Sequence, residues 1–257
     1  MTIDVEVDDG IALITMNRPE RMNAMDADAY AALSAAWTRV RDDADIRVAI
    51  ITGAGDRAFT TGADLKSFVG KQTDLGRFWL TQQGQLLNRG LEVWKPVIAA
   101  VNGYCLGGGM TLLLGTDIRI ATPTATFGLS EVQRGVVAGN GGTQRVLEQL
   151  PYAIGMEMLL TGRRLDAETA ARWGLVNRVV PKEELLSAAF EVAREIAANA
   201  PLAVQASKEL ALRSRDVDRV TGLRLEQAMN QVLQFTEDAQ EGPTAFAEKR
   251  TAQFQGR

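Results

Sequence analysis

Two periods of apolar residues alternate along the first half of this 257-residue chain. Ile11-Ala12-Leu13-Ile14-Thr15-Met16 is a short apolar run closed by Asn17-Arg18-Pro19, which predicts a strand ending in a turn. After Asp26, a candidate N-cap, Tyr30, Leu33, Trp37 and Val40 recur at helical spacing and predict one buried helix face. Ile46 to Thr52, Pro96 to Val101 and Asp117 to Ala121 predict further buried strands. Strands this apolar, with helices between them, suggest an α/β core with both sheet faces covered. From about Gly139 the pattern turns helical: stretches 142–150, 153–161, 166–173, 183–199, 202–214 and 216–236 read as helix, with one short strand at Val176 to Val180. Asp166 with Thr169 marks a helix start, and Pro201 suits the first turn of another. The expected division is an α/β core over 1–190 and a helical region over 191–257.

Composition narrows the chemistry. The chain has no histidine and one cysteine, so no Ser-His-Asp or Cys-His nucleophile and no histidine-ligated zinc can be built. Acid–base work falls to carboxylates, Lys, Tyr or Cys. A net charge of −4 argues against an overall basic nucleic-acid binder. The lone Cys105 suits a reducing compartment. No apolar run is long enough for a membrane span, and the acidic start of the sequence lacks the layout of a signal peptide. The expectation is a cytoplasmic protein with no nucleic-acid or membrane partner and no metal.

Three clusters carry candidate chemistry. Gly53-Ala54-Gly55-Asp56-Arg57-Ala58 follows a strand and fits a dinucleotide fingerprint, but the loop-like residues after it favour a tight turn. In Phe59-Thr60-Thr61-Gly62-Ala63-Asp64-Leu65, small residues let a ligand approach the backbone, and Asp64 could cap the turn beginning at Leu65. Asn102 to Thr111 holds three glycines, Gly107-Gly108-Gly109, leading into an apolar helix from Met110. Free N–H groups there suit an anion or a developing oxyanion, while a packing role for each glycine cluster stays open. Phe127-Gly128-Leu129-Ser130-Glu131-Val132 places a carboxylate in an apolar stretch, where desolvation would raise its pKa; spacing alone leaves a surface carboxylate equally open.

In this order and spacing, the clusters resemble the crotonase superfamily of enoyl-CoA hydratases and isomerases. The resemblance takes in Met16 to Met25, Phe59 to Leu65, Pro96 to Asp117, Phe127 to Arg145, Leu160 to Arg164, Gly174 to Asn177 and Glu241 to Arg250. It implies a spiral of β-β-α units, a C-terminal helical region used in trimerisation, a homotrimer or dimer of trimers, and an acyl-CoA substrate with no separate cofactor. It assigns the oxyanion-hole N–H groups to Ala63 and Gly108. Thr61, Asp64 and Leu65 match positions at the CoA site, as do Arg21 and Met22, and Phe246 and Lys249 match C-terminal positions that reach CoA, often from a neighbouring subunit. Of the family's two catalytic glutamates, the second matches Glu131, whereas the first matches Thr111. Gly139 stands where some members carry an Asp.

A single carboxylate supports hydration or dehydration of a 2-enoyl thioester if Thr111 and the backbone hold the water. The alternative is moving a proton between C2 and C4 with Glu131 alone, which is isomerase chemistry. Loss of turnover, leaving a silent acyl-CoA binder, is the third possibility. Without histidine, the superfamily's protease branch is excluded, and so is its dehalogenase branch. The residues from Ser67 to Trp94, with Phe68, Phe78, Trp79, Leu80, Leu86 and Leu87, are expected to shape the acyl pocket or to form a variable loop and packing helix.

Overall fold

A computed structural model describes residues 2–68 and 85–257. Phe78, Trp79 and Leu80, and the side chain of Phe68, lie outside the described residues, so the acyl-pocket expectation is addressed only by Leu86 and Leu87, which are buried in the core. Two sheets carry the fold. The larger runs β1 (Ile3–Asp8), β2 (Ile11–Met16), β3 (Val48–Gly53), β5 (Val97–Val101), β7 (Ile118–Ala121), β10 (Arg178–Val179). Only its first pair is antiparallel. The smaller runs β4 (Ala58–Thr60), β6 (Tyr104–Leu106), β8 (Thr126–Gly128), β9 (Leu165–Asp166).

The strands alternate between sheets: β3 is followed by β4, β5 by β6 and β7 by β8, each first strand joining the large sheet and each second the small one. Helices follow the pairs: α2 (Leu65–Phe68), α3 (Gly108–Leu113) and α4 (Gly142–Gln149). This is the expected α/β spiral of β-β-α units. The short strands of the small sheet are not legible as periodic runs, since two or three residues cannot display a period. β1 does carry a strand period, although it is not among the predicted elements: Ile3, Val5 and Val7 face the core and alternate with Asp4, Glu6 and Asp8.

The core follows from side-chain alternation along the central strands. Ile51, Val97 and Val101 face inward with Ile14, Phe59, Phe127 and Trp37, the last from α1 (Ala27–Asp42). Their neighbours Ile50 and Ile98 face the other way, with Ile11, Val48 and Ile120. That second face is covered by α7 (Leu185–Ala197), whose Leu185, Ala189, Val192 and Ala193 make one apolar stripe. Burial on both faces explains why β3 has no polar alternation. Asp26 caps α1 by accepting from the Ala29 N–H, and Asp166 caps α6 (Ala167–Arg172) through the Thr169 N–H, both at the positions the sequence marked.

Beyond Ala197 the helices change character. Neither α8 (Pro201–Arg213) nor α9 (Arg219–Leu233) buries a residue, and Val220, Leu223, Val232 and Phe235 are exposed. α7 spans residue 190, and its apolar stripe covers the sheet as far as Ala193. Lys208 ties α8 to the core: its Nζ lies 2.7 Å from Asp117 Oδ2 and donates to the Lys95 carbonyl. Asp117 also accepts from the Val97 N–H. The last helix, α10 (Glu237–Glu248), contains Pro243 and carries no apolar signal strong enough to mark it as helix in the sequence.

Candidate active site

The site forms where the C-terminal ends of β4 and β6 turn into α2 and α3. Asn23 fixes the first part of it. Its amide Nδ2 donates to the carbonyls of Ala54 and Ala58, and its own carbonyl accepts from Thr60 Oγ1. Met25 then bridges to the next turn, donating to the Gly62 carbonyl and accepting from the Asp64 N–H. In this register the Ala63 N–H points away from Met25. Gly62 has φ of +83°, and Thr60 Oγ1 accepts from its N–H. A Cβ at 62 would stand 3.0 Å from Gly108 Cα and nearer still to Gly108 N, so the two segments touch only because Gly62 has no side chain.

Gly107 donates to the Gly128 carbonyl, which joins α3 to β8. Gly108, as the first residue of α3, has an N–H with no intrahelical acceptor. Among the described residues, neither the Ala63 nor the Gly108 N–H is paired. The two expected donors are therefore adjacent and available. Both come from backbone, held by strands on one side and a helix on the other.

Glu131 reaches the same place from the short helical turn Glu131–Arg134. Its Oε1 lies 3.6 Å from where a Cβ on Gly107 would sit, and its Oε2 is buried without a hydrogen-bond partner. Burial pushes its carboxyl above the ordinary range, while its own backbone N–H and Arg134 pull the other way. Arg134 is held by Ser130 through the carbonyl and the hydroxyl.

Thr111 is buried one turn into α3. Its hydroxyl donates to the Gly108 carbonyl at 3.0 Å and accepts from Asn88 Nδ2 at 3.1 Å. It thus clamps the first turn that presents the Gly108 N–H. Asn88 is itself buried, and neither it nor Asn23 was marked by the sequence as a site residue; a single Asn outside a motif gives no signal. Gly139 accepts from the Gly142 N–H, and the space on its Cβ side is open.

Tyr30 packs against the core from the helix face its spacing predicted. It lies on the helical stripe of α1 but is only half-buried, and its hydroxyl stands 3.1 Å from where a Cβ on Gly108 would sit. Burial raises its pKa; Arg89 lowers it and Glu131 raises it further.

Among the expected CoA positions, Thr61 donates its N–H to the Met22 carbonyl, and Arg21 and Leu65 are exposed. Asp64 accepts the Ser67 N–H with its main-chain carbonyl, while its carboxylate lies 3.6 Å from Arg18, which also pairs with Asp26. Phe246 and Lys249 are exposed at the end of α10, and no described hydrogen bond or ion pair joins them to the site. Among the described residues there is no cluster of three acidic or cysteine side chains able to hold a metal, and the Gly53–Ala58 motif forms a turn without a helix after it.

The family model for enoyl-CoA hydratase/isomerase matches residues 6–257. The chain is 43% identical over 256 residues to an (E)-benzylidenesuccinyl-CoA hydratase of Thauera aromatica, covering all of both chains. It is also 43% identical to a carnitinyl-CoA dehydratase of Proteus mirabilis, covering 95% of this chain and 94% of the other. A solved enoyl-CoA hydratase of Mycobacterium tuberculosis superposes with a TM-score of 0.92 at 39% identity, over 100% and 99% of the two chains. This protein belongs to the enoyl-CoA hydratase/isomerase family of the crotonase superfamily, and its relatives support hydratase or dehydratase action on acyl-CoA thioesters.

Proposed function

We propose that the protein hydrates a 2-enoyl-CoA thioester, or dehydrates the 3-hydroxy product, with Glu131 as the acid–base carboxylate. The carrying observation is the buried, unpartnered Oε2 of Glu131 next to two unpaired backbone N–H groups. The thioester oxygen sits between the N–H groups of Ala63 and Gly108, which stabilise the negative charge that develops there. Glu131 takes a proton from water as its oxygen bonds to C3, and the electron pair of the C2–C3 double bond moves into the enolate. Glu131 then returns that proton to C2, so one carboxylate closes the cycle. A raised pKa suits a group that must both accept and give up a proton.

In this reading Thr111 and Asn88 hold Gly108 in place, and Arg21, Met22, Thr61, Asp64 and Leu65 border the CoA. The open space beside Gly139 takes part of the acyl group. The identity with hydratases of benzylidenesuccinyl-CoA and dehydratases of carnitinyl-CoA favours acyl groups branched or substituted near C3. No cofactor besides the substrate's CoA is required. The exposed apolar side chains of α9 support a homotrimer or dimer of trimers, with 191–257 as the assembling region and Phe246 and Lys249 offered to a neighbour's CoA. No helix among the described residues is long and apolar enough to cross a membrane, in keeping with a cytoplasmic enzyme.

Isomerisation between C2 and C4 is the second reading, favoured by the absence of a second carboxylate at Thr111. Assays on crotonyl-CoA and on a 3-enoyl-CoA, beside Glu131→Gln, separate the two. Equal inertness of wild type and Glu131→Gln on a broad panel, with binding retained, would leave only a silent acyl-CoA binder.

A further inference from the structure

We propose that Tyr30 is a further catalytic residue, whose hydroxyl donates a third hydrogen bond to the thioester oxygen beside the N–H groups of Ala63 and Gly108. The inference rests on the hydratase reading for its kinetic consequence, but on geometry for its placement. Tyr30 Oη stands 3.1 Å from the position a Cβ would take on Gly108, and the Ala63 nitrogen stands 3.5 Å from that same point. The Gly108 nitrogen is bonded to the adjoining Cα, so it lies about 2.5 Å away. Three donors of different origin therefore surround one small volume. Any side chain at 108 would fill it.

The placement is robust because it is built into α1. Tyr30 lies in the first turn, its N–H bonded to the Asp26 carbonyl, and Asp26 is both the N-cap and the partner of Arg18. Met25, just upstream, is bridged to Ala63. Helix start and oxyanion donor are thus parts of one rigid unit, and the phenol is carried on it.

The surrounding charges fix which role the hydroxyl can take. A phenol removed from water by burial, with Arg89 lowering its pKa and Glu131 raising it, stays protonated through the neutral range, so it serves as a donor and not as a base. A protonated donor aimed at an oxygen that gains charge stabilises the transition state more than the ground state. It also adds polarisation at the carbonyl beside Glu131.

Tyr30→Phe keeps the ring and removes only the donor. It is expected to lower kcat about 10²-fold on the hydrated substrate with KM changed less than about threefold. A second readout needs no turnover: a bound aryl-conjugated 2-enoyl-CoA reports carbonyl polarisation as a red shift of its ultraviolet absorbance, and Tyr30→Phe should reduce that shift. A kcat within twofold of wild type, or an unchanged absorbance maximum despite a slower enzyme, overturns the proposal. If wild type itself turns over neither crotonyl-CoA nor a 3-enoyl-CoA, the hydratase reading fails, while the absorbance comparison still decides the role of Tyr30.

Discussion

Replacing Gly62 by alanine probes the proposed oxyanion hole while leaving every other side chain in place. The added methyl lies 3.0 Å from both Gly108 Cα and the Leu106 carbonyl oxygen, and closer still to Gly108 N. Both neighbours are backbone, tied into β6 and α3, so neither can swing aside as a flexible side chain would. To restore ordinary contact, the Gly108 nitrogen must retreat on the order of 1 Å, which stretches a hydrogen bond of about 2.9 Å well beyond 3.5 Å and abolishes it. Alanine at φ of +83° adds about 1–2 kcal/mol of backbone strain. The combined effect is a loss of one oxyanion donor, about 10²–10³-fold in kcat, with a stability loss of a few kcal/mol. Steady-state hydration kinetics, with thermal unfolding and acyl-CoA binding measured on the same preparation, test it. A folded Gly62→Ala enzyme with kcat within threefold of wild type would refute the assignment of the Gly108 N–H to the reacting oxygen.

Further predictions concern the acid–base group, the clamp and the helices. Glu131→Gln should lose about 10²–10⁴ in kcat while CoA thioesters still bind, read by steady-state kinetics and calorimetry. Because burial raises the Glu131 pKa, the acidic limb of kcat/KM should lie above the ordinary glutamate value of 4.5, and titration of the rate against pH locates it. Folding then favours the protonated form, so the native state loses stability as pH rises from the unfolded value through the raised one. Glu131→Gln should accordingly melt higher than wild type at pH 7, with the difference vanishing in acid; a lower melting point at pH 7 would contradict a desolvated carboxylate. Thr111→Val removes the bond to the Gly108 carbonyl and leaves Asn88 Nδ2 unpaired, so chemical denaturation should register a loss of about 2 kcal/mol. Asp substitutions at Val220 and Leu223 should lower the oligomeric state seen by light scattering if α9 assembles the trimer, and an unchanged mass would exclude that face.

The sequence by itself determined the order of the main elements and the identity of the motif residues. Apolar runs such as Ile11 to Met16 and the stripe of α1 are long enough to show their periods, and Asp26 and Asp166 cap where their positions said they would. The absence of histidine directed acid–base chemistry to carboxylates, and the Gly-Leu-Ser-Glu segment directed it to Glu131. Tertiary structure decided what those residues meet. Only the close approach of the Gly62 turn to α3 puts the Ala63 and Gly108 N–H groups side by side, because the contact spans two strands of the small sheet that are too short to show a pattern. The spacing of Tyr30 marked a buried helix face, yet a hydroxyl at the end of a long ring reaches past the core into the site. Likewise Asn23 and Asn88 are single polar residues whose value lies in partners distant along the chain, Ala54, Ala58 and Thr111, which no local pattern connects to them.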